Sequence, residues 1–180
     1  PPFTPGMDIA GEIDAIGEGV EGFVVGEAVV GGMRFGGFAE FAVLSTEGLQ
    51  KKPSHLSFAE AAAYQVAYLT AYVALVRRAN LQAGETLLIH GASGGVGMAA
   101  VDIGKLLGAT VIATGGSDAK LQRVLAYGAD HVINTENGFR EQVKALTGGL
   151  GADVIYDPVG GDIFDESTRC INFDGRLLII

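Results

Sequence analysis

The residues best suited to chemistry form a glycine-rich loop, His90-Gly91-Ala92-Ser93-Gly94-Gly95-Val96-Gly97. The loop follows an apolar run of strand type and opens a run of helical type, which is the context that a dinucleotide-binding fingerprint requires. Glycines keep side chains out of the turn, so backbone N–H groups at the positive end of the helix can contact a pyrophosphate. Gly97 then lets the helix pack close to the strand. The pattern predicts a dinucleotide site, and the alternative is a tight strand-to-helix turn without a ligand.

A second feature concerns which dinucleotide would bind. An NAD site usually carries Asp or Glu at the end of the second strand, about 20 residues past the glycines, to hold the ribose 2′-hydroxyl. Here the corresponding run ends in small residues, Gly115 and Ser117 among them, without a carboxylate. Ser117 and Lys120 lie one helical turn apart and are suited to a 2′-phosphate. We therefore expect NADP(H), with two alternatives open: Asp118 contacts a ribose, or Lys120 is a solvated surface lysine.

A third loop, Asp157-Pro158-Val159-Gly160-Gly161, follows the fourth strand-like run of the same half of the chain. In a doubly wound sheet, ligands bind at the carboxyl ends of the strands, in the crevice where the strand order reverses. We therefore expect this loop to face the nicotinamide half of the cofactor. The alternative is a plain glycine turn.

The elements that must position these loops alternate between strand and helix from residue 85 onward. Strand-like runs occupy 86–90, 110–114, 131–134, 153–157 and 176–180, and helical runs occupy 96–107, 118–127, 138–147 and 162–172. The first three helical runs are followed by glycine, which favours the positive φ of a helix C-terminus. Strands that are apolar throughout are typical of a parallel sheet covered on both faces. The pattern predicts an α/β fold with a doubly wound parallel sheet.

The first fifty residues have a different pattern. Extended runs at 7–16, 27–30 and 38–44 are separated by glycine turns, which predicts a small β-rich barrel or sandwich. An Ala-rich stretch at 59–76 then predicts one bent helix or two, with Ser57 and Glu60 at capping-box spacing. We expect one domain over 1–60 and a second over 61–180.

Composition excludes several classes of protein. A single Cys among 180 residues excludes an internal disulfide framework and a Cys-cluster zinc site. A net charge of −9 argues against a nucleic-acid partner or an anionic membrane surface. No long apolar span or signal-peptide pattern is present, so a cytoplasmic protein is expected. The chain begins without Met and ends in Leu-Leu-Ile-Ile, and we expect it to be a fragment.

The sequence resembles the medium-chain dehydrogenase/reductase superfamily, and within it the zinc-less quinone oxidoreductases related to zeta-crystallin. The segments that carry the resemblance are Pro-Gly-Met-Asp-Ile-Ala-Gly at 5–11, Leu-Thr-Ala-Tyr at 69–72, the glycine loop at 90–97, Gly-Ala-Asp-His-Val-Ile-Asn at 128–134 and Gly-Ala-Asp-Val-Ile-Tyr-Asp at 151–157. The resemblance implies part of a GroES-like β-barrel domain followed by a Rossmann domain that binds NADPH. It also implies that both ends of the full-length protein are missing here, including a sixth Rossmann strand, and that the full-length protein is a homodimer.

The resemblance also bears on metals and on site residues. The zinc-dependent branch has Gly-His-Glu where this chain has Gly6-Met7-Asp8, and a Cys ligand where this chain has Val66-Ala67. Met and Val cannot replace those zinc ligands, so no catalytic zinc is expected. The resemblance implies that Thr70 lies near the nicotinamide carboxamide, and Thr135 stands where many relatives have a Tyr near the adenosine. The predicted cofactor-binding residues are Thr70, Gly91, Ala92, Ser93, Gly94, Gly95, Val96, Gly97, Gly115, Ser117, Lys120, Thr135, Asp157, Val159 and Gly160.

These observations predict an oxidoreductase that transfers hydride from NADPH to a quinone or an α,β-unsaturated carbonyl without a metal. The partner is then a small-molecule substrate, with no nucleic acid and no membrane. No catalytic residue is assigned, and the fragment alone is expected to be inactive. Two alternatives stay open: an enoyl-thioester reductase module, and a non-enzymatic NADPH-binding structural or sensor protein.

Overall fold

A computed structural model describes residues 2–180, which divide into two compact units, one ending at Val66 and the other running Ala67–Ile180. The first unit holds an antiparallel sheet of order β1-β2-β3. Its strands are β1 (Asp8–Glu12), β2 (Ala28–Gly32) and β3 (Gln50–Lys51). The extended runs predicted at 7–16 and 27–30 therefore contain strands, with narrower or shifted bounds.

The strand predicted at 38–44 is wrong. Large apolar residues of that run are exposed, Phe41 at 74% and Val43 at 97%. Ahead of them, the Phe38 N–H donates to the Pro5 carbonyl, which belongs to no strand. An apolar run bounded by glycine turns is a local signal, but a strand also needs a partner strand. Segment 38–44 has none among the described residues.

Helix α1 spans Phe58–Tyr72 and continues into a π-helical turn at Val73–Arg78. Its start is the predicted capping box: the Ser57 N–H and Oγ each lie 2.8 Å from Glu60 Oε2, and the Glu60 N–H donates to Ser57 Oγ at 3.2 Å. The Ala-rich stretch is thus one continuous helix with a π-helical end rather than two helices. The division between the two units falls within α1.

The second unit is built on a parallel sheet of five strands. These are β4 (Thr86–Ile89), β5 (Thr110–Gly115), β6 (His131–Asn134), β7 (Ala152–Asp157) and β8 (Ile171–Ile179). Their order is β6-β5-β4-β7-β8, and every adjacent pair is parallel. The strand order therefore reverses at β4, which has β5 on one side and β7 on the other. This confirms the predicted doubly wound sheet and places its crevice at the carboxyl ends of β4 and β7.

Helices connect these strands and cover both faces of the sheet. They are α2 (Gly95–Leu106), α3 (Asp118–Tyr127), α4 (Arg140–Leu146) and α5 (Asp162–Ser167). Alternate residues of β4 enter separate apolar clusters: Leu87 and Ile89 pack with the cluster that contains Val101 of α2, and Leu88 packs with the cluster that contains Phe139. Both faces are buried, as the uniformly apolar strands predict. No helix within residues 2–180 is long and apolar enough to cross a membrane.

The helix predicted at 162–172 is too long. It ends at Ser167, and β8 begins at Ile171. The cause is a tertiary contact: the Ala152 N–H donates to the Cys170 carbonyl at 2.8 Å, and a Cβ on Gly151 would lie 2.4 Å from that oxygen. Pairing with β7 thus determines where the chain changes from helix to strand. Helix propensity depends on neighbouring residues only and does not include this pairing.

Candidate functional site

The glycine loop lies at the carboxyl end of β4, between the loops that follow β5 and β7. The Ala92 N–H donates to the Thr114 carbonyl at 3.0 Å, which joins it to the end of β5. A Cβ on Gly91, whose φ is +56°, would lie 3.3 Å from Val159 Cγ2. The Gly94 N–H closes the turn on the Gly91 carbonyl at 3.0 Å. The structure therefore brings three of the predicted segments together at the switch point of the sheet.

The start of α2 presents free backbone donors. Gly94 is the extended N-cap residue, and its carbonyl accepts from the Met98 N–H at 2.8 Å. The N–H groups of the first helical turn, at residues 95–97, have no partner within the helix. Gly94 and Gly95 are exposed, and a Cβ at Gly94 would meet only the Gly91 carbonyl oxygen, at 3.4 Å. This surface can accept an anionic group against the positive end of the helix.

The end of β5 offers small and cationic residues. Ser117 is half-buried and caps α3 with its backbone only, since its side chain makes no capping hydrogen bond. Lys120 is exposed one helical turn further along. The Asp118 carboxylate is held by Asn134, whose Nδ2 donates to Oδ1 at 2.6 Å. Asp118, the carboxylate nearest to the β5 loop in the sequence, is thus already hydrogen-bonded to a residue at the end of β6.

Asp157 turns inward and holds its own loop. Its side chain is 1% exposed, and Oδ1 accepts the N–H groups of Val159 and Gly160 at 2.9 Å each. Oδ2 is buried and has no hydrogen-bond partner among the described residues. Val159, in contrast, is 55% exposed. The residues that this loop presents outward are therefore those after Asp157.

Two predicted contacts stand apart from this group. Thr135 begins a short 3-10 turn, Thr135–Asn137, directly after β6, and its carbonyl accepts from the Gly138 N–H. Thr70 lies near the C-terminal end of α1 and lines a cavity of about 560 Å³ with Leu178 and Ile180 of the β8 end. No described contact joins Thr70 or Thr135 to the glycine loop, and their contact with a cofactor stays a prediction.

A buried polar chain behind the glycine loop was not predicted. His90 is 1% exposed, with Nδ1 2.8 Å from Thr114 Oγ1 and Nε2 2.8 Å from Ser167 Oγ. Burial lowers the pKa of His90 to about 4. A signal for this chain was present in the sequence. Each of two apolar runs ends in a polar residue directly before a predicted loop: His90 before Gly91, and Thr114 before Gly115.

Among residues 2–180, no group of three or more His, Cys, Asp or Glu side chains is placed to hold a metal ion. Asp8, which stands where the zinc-dependent branch has a Glu, accepts the Val66 N–H at 3.3 Å. Burial raises the pKa of Asp8.

Comparison with known proteins agrees with this geometry. The family described as alcohol dehydrogenase GroES-like domain matches residues 1–54, and the family described as zinc-binding dehydrogenase matches residues 95–180. The chain belongs to the medium-chain dehydrogenase/reductase superfamily. The quinone oxidoreductase-like protein 2 homolog of Nematostella vectensis is 41% identical over 98% of this chain and 49% of its own length. Human quinone oxidoreductase is 35% identical over 99% of this chain and 55% of its own. The chain thus spans about half the length of the curated relatives it matches.

Solved structures of this superfamily share the fold. The Escherichia coli quinone oxidoreductase complexed with NADPH matches with a TM-score of 0.91 and 34% identity, over 99% of this chain and 55% of the other. An NAD-dependent alcohol dehydrogenase matches with a TM-score of 0.93 and 37% identity, over 99% and 60%. The CurK enoyl reductase matches with a TM-score of 0.91 and 36% identity, over 97% and 53%. The GroES-like and Rossmann assignments are thereby confirmed, and the chain has a nucleotide-cofactor-binding fold.

Proposed function

We propose that the full-length protein transfers hydride from NADPH to a quinone or an α,β-unsaturated carbonyl without a metal. The observation that carries the proposal is the open glycine turn at the start of α2, next to a β5 end that has small residues in place of a carboxylate. A relative named quinone oxidoreductase and another named quinone oxidoreductase-like protein 2 homolog support the choice of substrate class.

The residues present fit a dinucleotide phosphate. Gly94 and Gly95 leave the helix N–H groups open to a pyrophosphate, which the helix dipole favours. Ser117 and Lys120 would hold a 2′-phosphate by charge-assisted hydrogen bonds. The similar structures include an NAD-dependent alcohol dehydrogenase and a quinone oxidoreductase in complex with NADPH. The proposal of NADPH therefore depends on the local residues Ser117 and Lys120. When bound, the cofactor supplies the hydride.

The charge that develops on the substrate oxygen needs stabilisation without a metal. Hydroxyl groups, backbone N–H groups or water are the donors that can supply it. For a quinone, conjugation stabilises the reduced oxygen, and solvent can deliver the proton. Thr70 is proposed as a hydroxyl near the nicotinamide carboxamide. No proton donor is assigned in this chain.

The test is NADPH oxidation by the full-length protein with quinones, alkenals and enoyl-thioesters, with NADH in parallel. Turnover of quinones or alkenals with a preference for NADPH is expected. Equal rates with NADH would contradict the roles of Ser117 and Lys120. Turnover that requires added zinc would contradict the metal-free proposal.

A second candidate is an enoyl-thioester reductase. It is favoured by the similarity to CurK, a solved structure named as an enoyl reductase. The enoyl-thioester arm of the same assay separates the two, since a quinone reductase would be slow with that substrate. NADPH binding without turnover of any substrate would instead favour a structural or sensor role.

The assembly and the domain bounds are proposals as well. We infer that the full-length protein is a homodimer, which light scattering after size-exclusion chromatography can measure. A domain boundary between residues 60 and 61 can be compared with the sites of limited proteolysis.

A further inference from the structure

Three buried polar side chains form a continuous chain behind the carboxyl end of the parallel sheet. Thr114 Oγ1 lies 2.8 Å from His90 Nδ1, and Ser167 Oγ lies 2.8 Å from His90 Nε2. Thr114 and Ser167 are 0% exposed and His90 is 1% exposed. A buried polar group is costly unless it is hydrogen-bonded, so these bonds hold a fixed arrangement.

The hydrogen bond made by Ser167 determines which atom is the donor in each bond of the chain. The Ser167 hydroxyl donates its proton to the Ile163 carbonyl at 2.7 Å, so its oxygen must accept from His90. His90 therefore carries its proton on Nε2. The unprotonated Nδ1 then accepts the proton of the Thr114 hydroxyl. Phe139 packs against the imidazole with ring centroids 4.7 Å apart, which restricts rotation of the ring.

Two members of this chain adjoin different loops of the proposed cofactor site. His90 directly precedes Gly91 of the glycine loop, and Thr114 directly precedes Gly115 of the β5 loop. Ser167 lies on α5, the helix that follows the Asp157 loop. The side chain of His90 thus connects the segments proposed to contact the pyrophosphate and the 2′-phosphate, and joins both to the C-terminal end of α5.

We propose that His90 is a positioning residue for cofactor selectivity: through Thr114 it fixes the β5 loop relative to the glycine loop, so that Ser117 and Lys120 meet the 2′-phosphate. The inference rests on the proposed function, since it concerns the same cofactor. It assigns no contact between His90 and the cofactor. Its consequence is that the hydroxyl of Thr114, a buried side chain, contributes to the preference for NADPH over NADH.

The test compares the dissociation constants of NADPH and NADH by titration calorimetry for the full-length protein. Thr114→Val keeps the shape of the side chain and removes the proton that His90 accepts. The NADPH dissociation constant is expected to rise about fivefold, the scale of one hydrogen bond, while that of NADH stays unchanged. Thr114→Ser restores the hydroxyl and should restore the ratio. Thr110→Val, a substitution at the exposed opposite end of β5, is the matched control.

Several outcomes would overturn the inference. An equal rise for both cofactors in Thr114→Val, or no rise, would leave Thr114 with a merely structural role. Nitrogen-15 NMR of the unsubstituted protein reads the His90 tautomer without any variant, and a proton on Nδ1 would contradict the chain even if Thr114→Val does not fold. Failure of the unsubstituted protein to bind either cofactor would overturn the proposed function itself, a different result from binding with an unchanged ratio.

Discussion

Gly97 lies directly against Ala92: a Cβ on Gly97 would be 2.6 Å from the Ala92 Cα and 2.6 Å from the Gly91 carbonyl oxygen. The first turn of α2 therefore packs onto the backbone of the loop that precedes it. Gly94 has no such contact, since its nearest neighbour would be 3.4 Å away. Within one motif, Gly97 is required by packing, and Gly94 leaves open surface for a ligand.

The two glycines should consequently separate stability from binding. Gly97→Ala forces the backbone apart and is expected to lower the free energy of unfolding by about 1–3 kcal/mol. Gly94→Ala is expected to cost about 1 kcal/mol or less, as a change of N-cap residue, but to weaken NADPH binding because its methyl group occupies the approach to the helix N–H groups. Urea unfolding and calorimetric titration measure the two effects. Equal stability losses in the two variants would contradict this division of roles.

Lys120 provides a test of the 2′-phosphate assignment. Lys120→Ala should raise the KM for NADPH several-fold with little change for NADH, because only NADPH carries the phosphate that the ammonium would contact. Lys144→Ala on α4 removes the same charge elsewhere and serves as the matched control. An unchanged KM for NADPH in Lys120→Ala would identify Lys120 as a solvated surface lysine.

Glu166 caps a helix to which it does not belong. Its Oε1 accepts the N–H groups of Phe139 and Arg140, both at 2.7 Å, at the start of α4. Glu166→Ala leaves both donors without their partner and is expected to lower the free energy of unfolding by about 1–3 kcal/mol. Glu166→Gln keeps an acceptor oxygen and removes only the negative charge. Its free energy of unfolding should therefore fall by less than about 1 kcal/mol, the usual stabilisation from a charge at a helix N-terminus. Urea denaturation compares the two, and equal losses would show that charge matters more than the acceptor.

The sequence predicted the second unit well because local and tertiary signals agree there. The run at 131–134 is short, has Val132 and Ile133 at its centre and follows the turn residue Gly128, and it is a strand over the same residues, β6. The glycine after α3, Gly128, has a φ of +135°, as a helix C-terminus favours. In contrast, α5 is shorter than its pattern, because the start of β8 is set by pairing with β7, the strand that precedes α5.

In the candidate site, too, some features could be predicted from the sequence and others could not. The glycine loop and the β5 end could be identified from the sequence, because main-chain geometry demands those residue types at those spacings. The contacts of His90 could not, since they depend on which side chains meet in the folded protein. The inward turn of Asp157 is instead made with the N–H groups of its own loop. Thr114 and Ser167 lie on different elements, β5 and α5, and each is hydrogen-bonded to His90.

His90 also predicts how stability depends on pH. Burial lowers the pKa of His90 from 6.5 to about 4, although the nearby Asp157 and Glu166 carboxylates act in the opposite direction. Between those two values the unfolded chain binds a proton that the folded protein does not, so the free energy of unfolding rises with pH in this window. The stability due to neutral His90 is complete above about pH 6.5 and is lost as the pH falls toward 4. At pH 5 the loss should reach about 2 kcal/mol.

Substitution isolates this contribution from other titrating groups. His90→Gln keeps a donor near the Nε2 position but has no group that titrates in this range. The free energy of unfolding of this variant should therefore lack the pH dependence that His90 contributes. The difference in free energy of unfolding between the unsubstituted protein and His90→Gln, from urea titrations at pH 7, 6 and 5, should therefore narrow by about 2 kcal/mol as the pH falls. A difference that stays constant over that range would mean that His90 titrates alike in the folded and unfolded states. That result would contradict a neutral, buried imidazole behind the glycine loop.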